Sequence, residues 1–323
     1  MDLEFPQVYV VSLVSRTDRR TKMIRRLESQ NIKYEFIDAL TPSDPEVIYL
    51  GSGSDTKNTQ LQPVLRCTVG NEYACFASHL KALKSIIESG KSGIVLEDDA
   101  LIHKDFKSII SKSLETWSKL PLVMLYTEVM VNEDFLKRGQ KLEGLHKITN
   151  HWGAVGCWIS LDYAKEAYAD YHRPFNQIKH YRKTSECITM YSKGYFIMPQ
   201  LCLEDPINIS NLRDTRYNIW GREYYSRFQR VLNYDDYITN ETEEYKKLYL
   251  GYSSILNGNS YEQIKENMSG VKLDSLDTEQ KYVALDILFK LSNFMKDIME
   301  TIRISNLIET HLKQNPSHFF WAK

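Results

Sequence analysis

Three consecutive acids, Glu97, Asp98 and Asp99, follow a short apolar run and are the residues of this chain best suited to chemistry. The run, residues 94–96, comes after a glycine-bounded turn at 90–93, and this pattern predicts a buried strand. Ligands of open α/β sheets bind outside the carboxyl ends of the strands, so the acids are expected at a functional edge. Adjacent carboxylates repel one another unless a cation neutralises them. On an extended chain Glu97 and Asp99 project to the same side, and such an oxygen pair suits a hard divalent ion that holds a diphosphate.

Two other interpretations of the acidic triplet arise from the residues alone. An acidic triplet after a strand also serves as a helix N-cap or as part of a solvated loop. The receiver domain of a response regulator likewise ends an apolar strand in an acidic pair, but it needs a phosphoacceptor Asp at the end of a later strand. The next apolar run, 122–126, ends in Thr127 and Glu128, so we reject the receiver interpretation.

Composition restricts the classes of protein that this sequence can encode. The chain has 323 residues, of which 42% are hydrophobic and 26% charged, as in a globular protein with one large domain or two unequal ones. Lys and Arg number 41 against 42 for Asp and Glu, so no excess of positive charge indicates a nucleic-acid partner.

Targeting signals and cysteine usage favour a cytoplasmic protein. No apolar stretch approaches the length of a transmembrane helix, and residues 1–6 lack the basic start and apolar run of a signal peptide. The five cysteines form no CxxC pair, which favours reduced side chains over a disulfide framework or a zinc site.

Strand and helix patterns alternate along the first two thirds of the chain. Alternation of this kind predicts an α/β fold with a mainly parallel sheet that helices cover on both faces. We expect most basic residues of the first helix on a solvated face, and those at 16–20 near an anion at the sheet edge. Strands are predicted at 8–13, 34–37, 94–96, 122–126, 154–161 and 195–198, and helices at 18–30, 78–88, after Asp105, after Asp162 and at 184–193.

Several segments resemble glycosyltransferase family 25, in the family's order, across roughly residues 7–170. Residues 96–100 match the family's L-E-D-D-A, and residues 70–80 resemble its G-E-x-G-C-x-x-S-H-L helix entry, with Ala74 in place of a glycine. An acidic triplet alone is weak evidence, whereas one preceded by S-H-L at this spacing is specific. The other similar segments are 8–13 with 15–20, 34–39, and 153–160 with Ala164.

The resemblance implies a GT-A-like fold, a nucleotide-sugar donor that is usually UDP-galactose, and inversion at the anomeric carbon. We therefore expect a GT-A-like domain over residues 1–215, and because helical periodicity takes over beyond about residue 216 we expect a helical C-terminal region over 216–323. By position, Glu97 and Asp99 take the metal role with Mn²⁺ or Mg²⁺, and Asp98 assists catalysis by hydrogen bonding to the donor. A divalent cation bridging both phosphates would stabilise the charge of the diphosphate leaving group.

Residues that contact the donor are expected at the ends of the first two strands and beside the acids. They are Ser12, Leu13, Arg16, Arg20, Asp38, Ser78 and His79. Exposed helix arginines, a turn aspartate and a locally satisfied histidine are the competing explanations for these residues. Trp152 is a candidate for stacking on a sugar face, although tryptophans are commonly core residues.

Inversion needs a base that takes the proton of the acceptor hydroxyl. Glu186 is the leading candidate because it opens a helix where the family has an acid. Glu204, Asp205 and His151 are the other candidates.

The expected partners are a UDP-hexose and a glycan, glycolipid or protein acceptor. Three alternatives stay open: a non-catalytic nucleotide-sugar or glycan-binding protein, a transferase that uses UDP-glucose, and a retaining hexosyltransferase. The helical spacing of residues 282–312 favours a packed subdomain. Contact of the aromatic tail, 319–321, with a membrane-borne acceptor is left open.

Overall fold

The computed structural model describes the elements that place the acidic segment. It describes residues 4–52, 69–126, 143–147, 153–174, 194–205, 207, 235–256, 260–294 and 298–314. Glu186, His151, Trp152, the predicted helix at 184–193, the predicted boundary at 215 and the aromatic tail lie outside these residues.

The strands are short, and most of them are apolar. In chain order they are β1 (Gln7–Ser12), β2 (Tyr34–Asp38), β3 (Gly93–Glu97), β4 (Ala100–Ile102), β5 (Leu122–Met124), β6 (Gly144–Lys147), β7 (Gly156–Ile159), β8 (Tyr195–Met198) and β9 (Cys202–Glu204).

A seven-stranded sheet has the order β2-β1-β3-β7-β5-β8-β6, and β4 pairs with β9 in a second small sheet. Strands β2, β1, β3, β5 and β8 run in one direction, whereas β7 and β6 run in the other. The predicted α/β class with a mainly parallel sheet is therefore confirmed, with β7 inserted as an antiparallel strand in its middle.

Helices cover both faces of the large sheet, as predicted. Because side chains alternate along a strand, Tyr9 and Val11 join the apolar cluster on one face, and Val8 and Val10 join the cluster on the other. The helices of this part of the chain are α1 (Thr17–Glu28), α2 (Pro45–Gly51), α3 (Val69–Ser89), α4 (Phe106–Trp117) and α5 (Leu161–Tyr171).

Two local predictions about helix starts were wrong. Helix α3 begins at Val69, so Ser78 and His79 lie in its middle. Helix α5 begins after Ser160, whose hydroxyl accepts a hydrogen bond from the Tyr163 amide, and Asp162 is therefore a first-turn residue and not the cap.

The chain divides into two compact units. The first comprises Met1–Glu204 with Asp235–Asn240, and the second comprises Asp205–Tyr234 with Glu241–Lys323. The described part of the second unit is helical, which confirms the predicted C-terminal helical region; its longest helices are Glu243–Leu256, Thr278–Phe294 and Ile298–Gln314. Among the described helices, none combines the length and the apolar character that crossing a bilayer requires.

Candidate functional site

Strands β1, β2 and β3 bring the predicted site residues to one edge of the sheet. These strands are parallel, and their register pairs Ser12 with Asp38 and Val11 with Glu97. Their carboxyl ends therefore meet at this edge, where Glu97 is the last residue of β3 and residues 98–99 form the turn into β4. This turn interrupts the extended chain on which the side chains of Glu97 and Asp99 were expected to project to the same side. Each acid therefore contacts different residues.

Asp98 is held by two side chains from the first strand–helix unit. Its Oδ2 accepts a hydrogen bond of 2.7 Å from the Ser12 hydroxyl, and its Oδ1 accepts one of 2.9 Å from the Arg19 guanidinium. Only 4% of the Arg19 side chain is exposed. A charge-assisted hydrogen bond in such a setting fixes the orientation of the carboxylate, so Asp98 is a rigid part of this edge.

Asp99 shares the Arg19 guanidinium at 3.4 Å and lies among other acids. Within the part of the chain that the structure describes, its second oxygen, Oδ1, is buried without a hydrogen-bond partner. Burial raises the pKa of the Asp99 carboxyl well above its ordinary value of 3.8; Arg19 acts in the opposite direction, and Glu97, Glu204 and Asp98 raise it further. Asp99 is therefore a carboxyl group whose ionised form is only partly compensated, by Arg19.

Glu97 faces helix α3 and not Arg19. Its Oε1 lies 2.9 Å from His79 Nε2 and 3.9 Å from Cys75 Sγ. His79 is 3% exposed, and it lies one helical turn after Cys75 on the same face of α3. His79 is thus paired with an acidic side chain.

Arg20 joins the ends of β1 and β2. Its guanidinium donates to Asp38 Oδ1 at 2.6 Å and to the Ser12 carbonyl at 2.8 Å, and it lies over the Phe36 ring. The Asp38 side chain is 60% exposed, so its carboxylate has room for a further hydrogen bond.

Three other predicted donor residues have local roles in the structure. Ser78 accepts a hydrogen bond from the Leu40 amide and donates to the Ala74 carbonyl, which ties α3 to the segment after β2. Arg16 forms a bidentate ion pair with Asp18, and its amide donates to the Leu13 carbonyl.

The candidates for the general base are divided between the two units. Glu204 lies opposite Ala100 in the β4–β9 pair, next to the acidic turn. Asp205 belongs to the second unit, where it is buried and accepts hydrogen bonds from the Tyr245 hydroxyl and the Ile207 amide.

Arg19 is the residue of this site that the sequence analysis missed, because its neighbours Arg16 and Arg20 were chosen. The expectation of a solvated basic face was wrong for Lys22 and Arg26, which are buried, whereas Arg19, also buried, lies in the range 16–20 that was expected near an anion at the sheet edge. Helical spacing could have found Arg19: it precedes Met23 by one turn and Leu27 by two, and both are fully buried core residues.

The donor set fits a hard divalent cation. The carboxylates of Glu97 and Asp99 offer oxygen ligands only, which are those that Mn²⁺ and Mg²⁺ prefer. The partnerless, buried Oδ1 of Asp99 and the raised pKa of this carboxyl both indicate a group that would gain from a nearby positive charge.

Comparison with known proteins gives one family and several distant relatives. The model of glycosyltransferase family 25 (LPS biosynthesis protein) matches residues 5–171. The chain is 26% identical over 170 residues to the lacto-N-neotetraose biosynthesis glycosyltransferase LgtE of Neisseria meningitidis serogroup B, which covers 48% of this chain and 57% of that protein.

Two animal proteins match a shorter part of the chain. Procollagen galactosyltransferase 2 of Mus musculus is 26% identical over 125 residues, which are 36% of this chain and 19% of that protein. The probable inactive glycosyltransferase 25 family member 3 of Bos taurus is 28% identical over 131 residues, which are 38% of this chain and 21% of that protein. The chain thus spans little more than half of LgtE and about a fifth of each animal protein.

The ion pairs of Arg19 generate a prediction about stability. Arg19→Met leaves Asp98 and Asp99 without their buried counter-charge, so we expect the free energy of unfolding to fall by about 3 kcal/mol. Urea denaturation followed by circular dichroism measures the loss. Lys91→Met, which removes an exposed ion pair with Glu4 in the same unit, is the control and should change stability little. The double variant Arg19→Met/Asp98→Asn should recover part of the loss, and an Arg19→Met protein as stable as the original would contradict the assignment.

The raised pKa of Asp99 predicts that replacing this carboxyl group by the neutral amide of Asn raises the stability of the fold by an amount that depends on pH. Between pH 3.8 and the raised pKa, the folded state holds a proton that the unfolded state has lost, so this group's contribution to stability falls as pH rises through that window. Asp99→Asn should therefore raise stability at pH 7 by about 1 kcal/mol or more in the presence of EDTA. The gain should shrink toward pH 3.8, and melting curves across this range measure it. Glu115→Gln, at an exposed position of α4, is the control; an equal gain at all pH values would contradict the prediction.

Proposed function

Because this chain belongs to glycosyltransferase family 25, we propose that it is a metal-dependent, inverting hexosyltransferase. UDP-galactose is the proposed donor, and a hydroxyl group of a glycan, glycolipid or protein is the proposed acceptor. The names of the relatives support this choice, since one is a lacto-N-neotetraose biosynthesis glycosyltransferase and another a procollagen galactosyltransferase.

One observation carries the proposal: Glu97, Asp98 and Asp99 lie at the carboxyl end of β3, beside the carboxyl ends of β1 and β2. Nucleotide ligands of open α/β sheets bind at this edge. The side chains differ in kind along it, from the Arg20–Asp38 pair at β2 to the acids at β3. This change in side-chain type along the edge suits a ligand with a polar nucleoside at one end and a diphosphate at the other.

The acids are proposed to act in two ways. Glu97 and Asp99 hold the divalent cation, which when bound stabilises negative charge on the departing diphosphate. Asp98 is fixed by Ser12 and Arg19 and presents its remaining lone pairs to the ribose or the sugar of the donor. A carboxylate that is already oriented loses little entropy when it accepts such a hydrogen bond.

The nucleoside is proposed to lie against the end of β2. Asp38 is exposed enough to accept hydrogen bonds from uridine, and Arg20 is kept in place by Asp38, the Ser12 carbonyl and the Phe36 ring. Arg16, Leu13, Ser78 and His79 complete the proposed donor-binding set. Ser78 would act indirectly, because its hydroxyl holds the Leu40 amide after β2.

Glu186 is proposed as the base that takes the proton of the acceptor hydroxyl. This choice rests on the resemblance to the family. Glu204 is the second candidate because it lies next to the acidic turn.

A non-catalytic binding protein is the second candidate function, and two observations favour it. Arg19 neutralises Asp98 and Asp99 in part, so these acids can persist without a cation. One relative is described as a probable inactive glycosyltransferase. Hydrolysis of UDP-galactose distinguishes the two functions, since a transferase slowly passes its sugar to water and a binding protein does not.

The proposed metal role predicts loss of activity without loss of fold. Glu97→Ala and Asp99→Ala should each lower the rate of UDP-galactose hydrolysis with Mn²⁺ by at least about 100-fold, because charge stabilisation of the leaving group is lost. Glu115→Ala is the matched control and should keep the original rate. Circular dichroism of each variant shows whether the fold is retained. Near-normal turnover of either variant at limiting Mn²⁺ would contradict the metal assignment, and no hydrolysis by the original protein would favour the binding function.

The acids also predict that UDP binding depends on the cation. Without a divalent ion the carboxylates repel the diphosphate, so calorimetry in EDTA should give an affinity at least about tenfold weaker than with Mn²⁺. Uridine, which lacks the diphosphate, is the control ligand and should show little dependence on the ion. Equal UDP affinity in both conditions would overturn the proposed cation site.

A further inference from the structure

Glu97 belongs to a second group of side chains, whose member Cys75 has no role in the proposed transfer reaction. Cys75 and His79 lie one turn apart on α3, and both approach the Glu97 carboxylate. One ligand atom from each of the three residues lies within 4.8 Å of the other two. The donor atoms are a sulfur, an imidazole nitrogen and a carboxylate oxygen, which contrasts with the oxygen-only set of Glu97 and Asp99.

The chemistry of this group selects a different kind of metal. Sulfur and imidazole ligands favour Zn²⁺ over Mg²⁺ and Mn²⁺, which prefer oxygen. In a tetrahedral site with bonds of about 2.0–2.3 Å, ligand atoms lie roughly 3–4 Å from one another. From Glu97 Oε1, the separation of 3.9 Å to Cys75 Sγ lies within this range and that of 2.9 Å to His79 Nε2 just below it.

The scaffold of the group is rigid. Both α3 ligands lie within a regular helix of 21 residues, which fixes their spacing. Phe76 and Leu80, the residues that directly follow them, are fully buried in the core, and Glu97 is the last residue of a central strand. Side chains on packed elements hold a binding geometry better than side chains on loops.

We infer that Cys75, His79 and Glu97 form a binding site for Zn²⁺ or a similar borderline ion, with the fourth coordination position open. The ion takes the place of the hydrogen bond between His79 and Glu97. The absence of a CxxC pair argued against zinc at the level of sequence, but two of these ligands are a helical i, i+4 pair and the third comes from a strand 18 residues after His79.

A zinc ion at this site would affect the proposed Mn²⁺ site, a consequence that rests on the proposed function. Glu97 would serve both the Zn²⁺ site and the proposed Mn²⁺ site, and one carboxylate oriented toward Cys75 and His79 is withdrawn from Asp99. Zn²⁺ would therefore weaken the binding of Mn²⁺. Free zinc would then inhibit the transferase by displacing Mn²⁺.

Absorption spectroscopy with Co²⁺, a spectroscopic substitute for Zn²⁺, tests the site without any measurement of activity. The full-length protein, reduced and free of metal, should develop a thiolate-to-cobalt charge-transfer band with one equivalent of Co²⁺. Addition of Zn²⁺ should abolish it, because a d¹⁰ ion has no such visible spectrum. Cys75→Ser should lose the band and bind Co²⁺ at least about tenfold more weakly.

Cys157→Ala is the matched control, since this buried cysteine lies on β7 and should leave the band intact. His79→Gln should weaken Co²⁺ binding while keeping a residual thiolate band, so the inference does not depend on one variant. Absence of the band in the original protein, or its persistence in Cys75→Ser, would overturn the site.

Electron paramagnetic resonance of free Mn²⁺ tests the competition separately. One equivalent of Zn²⁺ should release bound Mn²⁺ from the original protein and not from Cys75→Ser, whose proposed Mn²⁺ ligands are unchanged. Release from both proteins, or from neither, would refute the shared use of Glu97. If the original protein binds no Mn²⁺ at all, the metal role in the proposed function fails, whereas the Co²⁺ spectrum still decides the zinc site.

Discussion

The Arg19 guanidinium is the interaction on which the acidic edge depends. Three adjacent acids at the end of a central strand carry more negative charge than a largely buried position tolerates without compensation. Arg19 lies on the buried face of α1 and reaches Asp98 and Asp99 from there, while the Ser12 hydroxyl holds the other oxygen of Asp98. The first strand and helix of the chain thus stabilise a charge cluster that lies some 80 residues later in the sequence.

In this arrangement each of the three acids contacts different partners. Asp98 accepts one hydrogen bond on each oxygen, from Ser12 and from Arg19, and is the fixed member. One oxygen of Asp99 forms an ion pair with Arg19, and the other is buried without a described partner. Asp99 is therefore the acid whose negative charge is only partly neutralised. Glu97, at the end of β3, contacts helix α3 through His79. The Arg19 guanidinium therefore compensates the charge of Asp98 well and that of Asp99 in part. It does not compensate Glu97, and a bound metal ion can supply the missing positive charge.

The sequence predicted the parts of this site that depend on local pattern. The apolar runs of β1, β2 and β3 place Ser12, Asp38 and Glu97 at strand ends, and parallel pairing brings those ends together. Arg19 was missed because a charged helix residue is ordinarily solvated, and only a partner distant in sequence makes its burial favourable. The start of α3 was missed because residues 69–77 carry weak helix signals next to Gly70. Three-residue strands such as β4 and β9 are too short for a periodic pattern to reveal.

The antiparallel course of β7 has a consequence for divergence within the family. Strand β5 runs in the same direction as β3 and therefore ends at the acidic edge, while β7 begins there, with Gly156 opposite Leu96 and the Val155 carbonyl bonded to the Glu97 amide. The chain therefore leaves β5 and enters β7 at the same edge, although β6, which pairs with β8, lies between these two strands in the sequence. Insertions or deletions before or after β6 cost only a loop-closure entropy that grows slowly with length, and they leave the register of the sheet intact. Changes of length in this part of the sequence can therefore leave the pairing of β7 with β3 and β5 unchanged.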